Sequence, residues 1–235
     1  MERPLEPPIE SASTSSSEDR FAAELRGFGA LGILAILVIL AGNLIVLPGS
    51  AVLVLLWAWR SHTPWRDLGF VRPRSWLLTI AGGIDFGLAF KLAMKSLVMP
   101  LLGADPVNHA YHYLAGNRAA IPMTLYLMIV GAGFGEETLF RGYLFERLRK
   151  LLGGGRGATI GIVVGVSVIF GALHYSTQGL SGAEQATIVG LVLGTFYAAT
   201  RSLWFLIVTH AAFDLTAYYL IYWNLETRVA HWFFP

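Results

Sequence analysis

"IPMTLYLMIVGAGFGEETLFRGYLF", Ile121 to Phe145, begins as an apolar run of the kind that crosses a lipid bilayer, then sets Glu136, Glu137 and Arg141 within the same run. Ionisable side chains at that depth are expensive, and they usually face the interior of a bundle, paired or serving a function. The reading of the whole chain turns on whether this segment is a span. Composition says that it is: 55% of the 235 residues are hydrophobic and only 14% are charged, and the mean hydropathy is +0.59. That is too much apolar surface for an ordinary soluble domain.

Spans of about 20 apolar residues are expected near 28–47, 49–60, 76–97, 121–150, 158–175, 183–200 and 202–223. The fold class expected is therefore all-α, a polytopic transmembrane helical bundle of six to eight spans, located in the cell membrane as a multi-pass protein. The first two spans are ambiguous, because Pro48-Gly49 is either a turn between two helices or a kink in one. Residues 1–26 lead into the bundle. They are expected to be a disordered cytoplasmic tail, since the first twenty are rich in Pro, Ser and Glu and hold almost nothing to bury, and their acidic start does not fit a signal peptide. Residues 27–235 are expected to form a single transmembrane helical domain. Arg60, Arg66, Arg72 and Arg74 in the 60–75 loop, and Arg141, Arg147, Arg149, Lys150 and Arg156 in the 141–157 segment, place both in the cytoplasm by the positive-inside rule. Tryptophans near the predicted span ends, such as Trp57, Trp76 and Trp223, fit an aromatic belt.

Some functions are excluded at once. The net charge is only +2 and the basic residues are dispersed, so nucleic acid is not a partner. The chain has no cysteine, which removes disulfides, thiolate nucleophiles and cysteine-ligated metal. The expected partners are membrane lipid and a membrane-bound or lipidated protein or peptide substrate.

Deep within the predicted spans lie Asp85, Glu136, Glu137, His174, His210 and Asp214, with Arg141 towards the cytoplasmic end of its helix. At helical spacing Glu137 and Arg141 share a face, so Arg141 neutralises Glu137 and leaves Glu136 to meet another helix. His210 and Asp214 are stacked one turn apart, as are Phe170 and His174. Gly131, Gly133 and Gly135 would let a neighbouring helix come close to the carboxylates. A glutamate with two histidines can activate water in two ways, directly as bases or by holding a metal whose bound water attacks. Lys91 and Lys95 are expected to snorkel to an interface. His109, His112, Tyr111 and Asp105 are read as part of a solvated loop, with metal binding as the other possibility.

"EETLFRG" (Glu136 to Gly142), "FGALH" (Phe170 to His174) and "HAAFD" (His210 to Asp214) resemble the EExxxR, FxxxH and HxxxN/D motifs of the CAAX-protease and bacteriocin-processing family, also called Abi. The similarity covers about residues 120–220, and "TPWRDLGF" (Thr63 to Phe70) is similar to a weaker element upstream. The resemblance implies an intramembrane endopeptidase with Glu136, His174, His210 and Asp214 as catalytic residues. In that role Glu136 and His174 activate water, and His210, oriented by Asp214, stabilises the oxyanion. Glu137, Arg141 and Phe170 would support them. Family members are described both as metalloproteases and as metal-free glutamate-type enzymes. The preferred reading is metal-free, and the alternative is Zn2+ held by Glu136, His174 and His210. Eukaryotic members carry Asn where this chain has Asp214, and a carboxylate donates no hydrogen bond unless protonated, so Asp214 is either the orienting partner of His210 or a metal ligand.

Three rival functions have some support in the sequence. "GLSG" (Gly179 to Gly182) hints at a serine intramembrane protease using Ser181, Asp85 with Asp214 at an aspartyl dyad, and the buried charges at a non-catalytic scaffold or transporter. At 1.5 Å per residue, Glu136 lies about 21 Å, His174 about 25 Å and His210 about 12 Å from the cytoplasmic ends of their helices. On this count the three depths do not coincide.

Overall fold

In lipid every backbone N–H and C=O must be satisfied within its own segment, so the apolar runs become helices. In the computed structural model, residues 17–234 are described and contain helices but no strand. Helix α1 (Ser17–Arg26) bends by 60° into α2 (Ala30–Ala41), which a short 3-10 turn extends to Leu44. Helix α3 is Gly49–Arg60 and α4 runs from Trp76 to Leu101. Helix α5 covers Arg118–Leu152, α6 Arg156–Thr200, α7 Trp204–Tyr222 and the short α8 Glu226–Ala230.

The fold class is the one expected, and the structure adds three details. Ser17–Arg26 is helical, so this part of the expected tail 1–26 is ordered, and residues 1–16 of it lie outside the described residues. Pro48-Gly49 is a turn between packed helices, and α3, at twelve residues, is too short to cross the bilayer upright. The separate spans expected at 158–175 and 183–200 are two arms of α6, broken at Gly179 by φ 66° and ψ −164°. Only glycine takes that conformation without strain. The arms fold back on each other: the Cα of Gly190 lies against Ser167, and Gly194 faces Val163. Among the described residues four helices are long and apolar enough to cross a membrane; counting the arms of α6 separately and the bent α1–α2 pair as one span gives six.

Small residues set how closely the helices approach. A side-chain carbon on Gly83 would come within 2.8 Å of Val208, one on Gly87 within 2.8 Å of Ala212, and one on Gly133 within 3.0 Å of Ala211. These glycines seat α4 and α5 directly against α7. Of the other two glycines expected to allow close approach, Gly135 abuts Pro48, whereas Gly131 touches no neighbour closely.

The "TPWRDLGF" element is a 3-10 turn, Trp65–Leu68, that ends at Gly69 with φ 87°. Gly69 accepts the N–H of Leu203 at 2.9 Å, tying the element to the start of α7, and a side chain there would strike the Tyr197 ring at 2.6 Å. Phe70 packs its ring on Trp204 at 5.6 Å. The exterior is apolar, with Leu44, Ile45, Leu77 and Leu78 largely exposed, which suits contact with acyl chains rather than water. Arg66, Arg149, Lys150 and Arg201 gather at one end of the bundle, so the two basic segments share a side.

Candidate active site

The carboxylate motif lies on a stretch of α5, Leu127–Leu144, that is wound as a π-helix with i→i+5 bonding. Helices of this type are rare and short, and they concentrate at functional sites. The four-residue pairing expected from ordinary helix geometry survives the looser winding: Arg141 Nη1 donates to Glu137 Oε1 at 2.8 Å, and both side chains are fully buried. Arg141 also lies 4.9 Å from the Phe170 ring centroid and reaches the Gly190 carbonyl at 3.5 Å, so it ties α5 to both arms of α6.

The close approach of Gly133 to Ala211 brings α7 alongside, and His210 enters the cluster. Its Nδ1–H donates to Glu137 Oε1 at 2.7 Å. Its Nε2 lies 3.8 Å from Glu136 Oε2 and 3.7 Å from Asp214 Oδ2. The side chain that orients His210 is therefore Glu137, whereas the sequence reading gave that task to Asp214. One oxygen of Glu137 accepts from both Arg141 and His210, so its ion pair doubles as the support of the imidazole.

His174, on the first arm of α6, donates its Nδ1–H to the Phe170 carbonyl at 2.8 Å. This leaves Nε2 without a proton in the neutral ring. The ring packs at 4.6 Å, tilted by 59°, against Phe170, which is itself edge-on to Phe140 at 5.0 Å. Among the described residues no ion pair joins His174 to Glu136. The two line one cavity of about 260 Å³ together with His210 and Asp214, which is ample for water between them. Glu136 Oε2 is buried and accepts no hydrogen bond from the protein.

All four residues expected to be catalytic thus meet in one cavity, and Phe170 lines it while Glu137 and Arg141 stand behind. The depth mismatch counted along straight helices vanishes once the helices are packed. The metal alternative fits less well, because among the described residues no three His, Asp or Glu side chains are grouped to hold an ion. As placed, Glu136, His174 and His210 do not form a ligand set.

The rivals separate on geometry. Asp85 is exposed on α4 while Asp214 faces the cavity, so the two form no dyad. Ser181 lies on the wall of a second cavity and hydrogen-bonds to neither histidine among the described residues. In the loop, His109 pairs with Asp105 at 3.1 Å, and both side chains are exposed. The Asp105 carboxyl is held below its ordinary range, chiefly by the Val107 N–H and then by His109.

Sequence reasoning missed Tyr111, Gln178, Gln185 and Lys91, which also line the cavity. Tyr111 comes from the loop read as solvated, and its hydroxyl accepts from Gln178 Nε2 at 3.1 Å. Burial, together with the negative charge of Asp214, pushes its phenol up. Lys91 does not snorkel. It is buried, donates from Nζ to Gln185 Oε1 at 2.9 Å and lies 4.8 Å from the Phe213 ring centroid. Lys95 is also held inside, by Glu226 at 3.2 Å. The available signal for this role was a lysine inside a predicted span.

Residues 118–216 match the family model described as Type II CAAX prenyl endopeptidase Rce1-like. No curated protein and no solved structure shows a significant match. The matched segment contains the π-helical carboxylates and both histidines, and the family it describes is one of membrane-embedded proteases. Residues 118–216, which hold all four residues expected to be catalytic, are thus similar to the type II CAAX prenyl endopeptidases, in keeping with the resemblance to the CAAX-protease and bacteriocin-processing family.

Proposed function

We propose that this protein is an intramembrane endopeptidase of the cell membrane that hydrolyses peptide bonds in membrane-bound or lipidated proteins or peptides, with water activated by Glu136 and His174. The observation that carries the reading is the convergence of Glu136, His174, His210 and Asp214 on one cavity. The domain is taken as residues 27–235, with its catalytic core at about 120–220.

The chemistry follows from the side chains. Glu136, with an oxygen free of protein donors, takes a proton from a water lying between it and His174. His174 offers its bare Nε2 to the same water, because Nδ1–H is committed to Phe170. The water oxygen bonds to the scissile carbonyl carbon and negative charge develops on the carbonyl oxygen. His210 in its doubly protonated form donates Nε2–H to that oxyanion while Glu137 holds Nδ1–H. Asp214 and Glu136, each just under 4 Å from Nε2, balance the imidazolium charge. When the C–N bond breaks, the proton stored on Glu136 passes to the leaving amine, which returns the carboxylate.

The test uses the full chain in proteoliposomes with a quenched-fluorescent peptide library carrying a lipid anchor. Glu136→Gln and His174→Ala are each expected to abolish cleavage while eluting as monodispersely as the parent. Turnover at the parental rate in either variant would sink the assignment.

A further inference from the structure

We propose that Lys91, on the wall between the catalytic cavity and its neighbour, is a carboxylate-binding subsite that sets the direction in which a peptide lies across the site. The proposal rests on the endopeptidase reading and adds a specificity-determining residue to it.

Lys91 projects from α4 into the bundle and is 6% exposed. A buried ammonium is normally matched by a carboxylate, but no ion pair to Lys91 occurs among the described residues. Gln185 receives one of its three N–H groups at 2.9 Å, and the Phe213 ring lies 4.8 Å away. Lys95, one turn along, is different: Glu226 at 3.2 Å and the Pro106 carbonyl already satisfy it. The charged groups nearest to Lys91 are Lys95 and Glu226 on one side and Asp214 on the other.

Placement turns this uncompensated cation into a subsite. Lys91, Gln178 and Gln185 line both the catalytic cavity and a second cavity of about 410 Å³. The catalytic cavity holds Glu136 and Asp214, whereas in the larger cavity Glu226 is paired with Lys95 and Asp105 with His109, so a negative group meets less repulsion there. An anionic part of a ligand would therefore rest past Lys91, in the larger cavity, while the scissile carbonyl sits against Glu136 and His174. A peptide can supply the carboxylate from its own terminus or from an Asp or Glu side chain.

Binding is read without turnover, on the Glu136→Gln chain in nanodiscs. The probes are acetyl-trialanine as the free acid, the same peptide as its amide, and acetyl-Ala-Asp-Ala-amide. One of the two acids is expected to bind at least about tenfold more tightly than the neutral amide, the scale of a hydrogen bond to a charged group. Which acid it is identifies the source of the carboxylate. Adding Lys91→Gln should erase the difference and Lys91→Arg should keep most of it. Equal affinity for all three probes, or a preference that survives Lys91→Gln, overturns the proposal. The comparison among probes on the chain with Lys91 intact holds even if Lys91→Gln fails to fold. Failure of the endopeptidase reading has a separate signature: the parent chain would cleave no peptide while the binding preference persisted.

Discussion

Replacing Arg141 by Met would leave the Glu137 carboxylate fully buried without its guanidinium, whose Nη1 lies 2.8 Å from Oε1. Removing one member of a buried ion pair costs about 3–5 kcal/mol, because the remaining charge is stranded. Two features decide where in that range the loss falls. His210 stays 2.7 Å from the same oxygen and offsets part of the stranded charge. Against this, the contacts of Arg141 with Phe170 and the Gly190 carbonyl disappear too. We expect about 3–4 kcal/mol. The assay is equilibrium unfolding in mixed micelles, followed by tryptophan fluorescence. The double variant Glu137→Gln/Arg141→Met strands no charge and keeps an acceptor for His210, so it should recover at least about half of the loss, a coupling within the range seen for contacting residues. The reasoning is refuted if Arg141→Met stays within about 1 kcal/mol of the parent, or if the double variant is no more stable than the Arg141→Met single.

His210→Ala removes the expected oxyanion donor and should lower kcat by about 10²–10³-fold or more in the peptide assay. Asp214→Asn, at 3.7 Å from Nε2 and not hydrogen-bonded to it, should cost far less, and equal losses would argue against these roles. Gly87→Leu should prevent α4 from seating on α7, where the Ala212 methyl stands in the way. It is expected to cost more than the usual 1–3 kcal/mol of overpacking, visible as loss of the monodisperse elution peak. Activity should survive exhaustive chelation. A stoichiometric metal whose removal stops cleavage and whose return restores it would recast Glu136, His174 and His210 as ligands.

What could be read from the sequence was whatever depends on near neighbours along the chain. The Glu137–Arg141 pair followed from four-residue spacing, and the apolar runs marked the helices even where α5 winds as a π-helix. What could not be read was contact across helices. The His210–Glu137 bond joins residues 73 apart and the Lys91–Gln185 bond residues 94 apart. Both depend on which faces are pressed together, and that is set by Gly83, Gly87 and Gly133 and by the reversal at Gly179. Hydropathy recorded Lys91 as a charge near a span end and had no means to show that it points inward. The equal depths of Glu136, His174 and His210 were hidden for the same reason, since distance along a helix ignores how its neighbours are staggered.

The glycine seams also divide the molecule into positions that protein engineering can and cannot use. Exchanging an intrahelical glycine for alanine ordinarily improves helix stability by about 0.8–1.0 kcal/mol. At Gly83 and Gly133 the added methyl would press on Val208 and Ala211 within about 3 Å, and the gain would be cancelled by separating the helices that carry the site. Gly161 and Gly165, on the outer side of α6, meet nothing within 4 Å. A hardened version of this protein for reconstitution and crystallisation would begin with Gly161→Ala and Gly165→Ala, and would leave every glycine on the inner seams untouched.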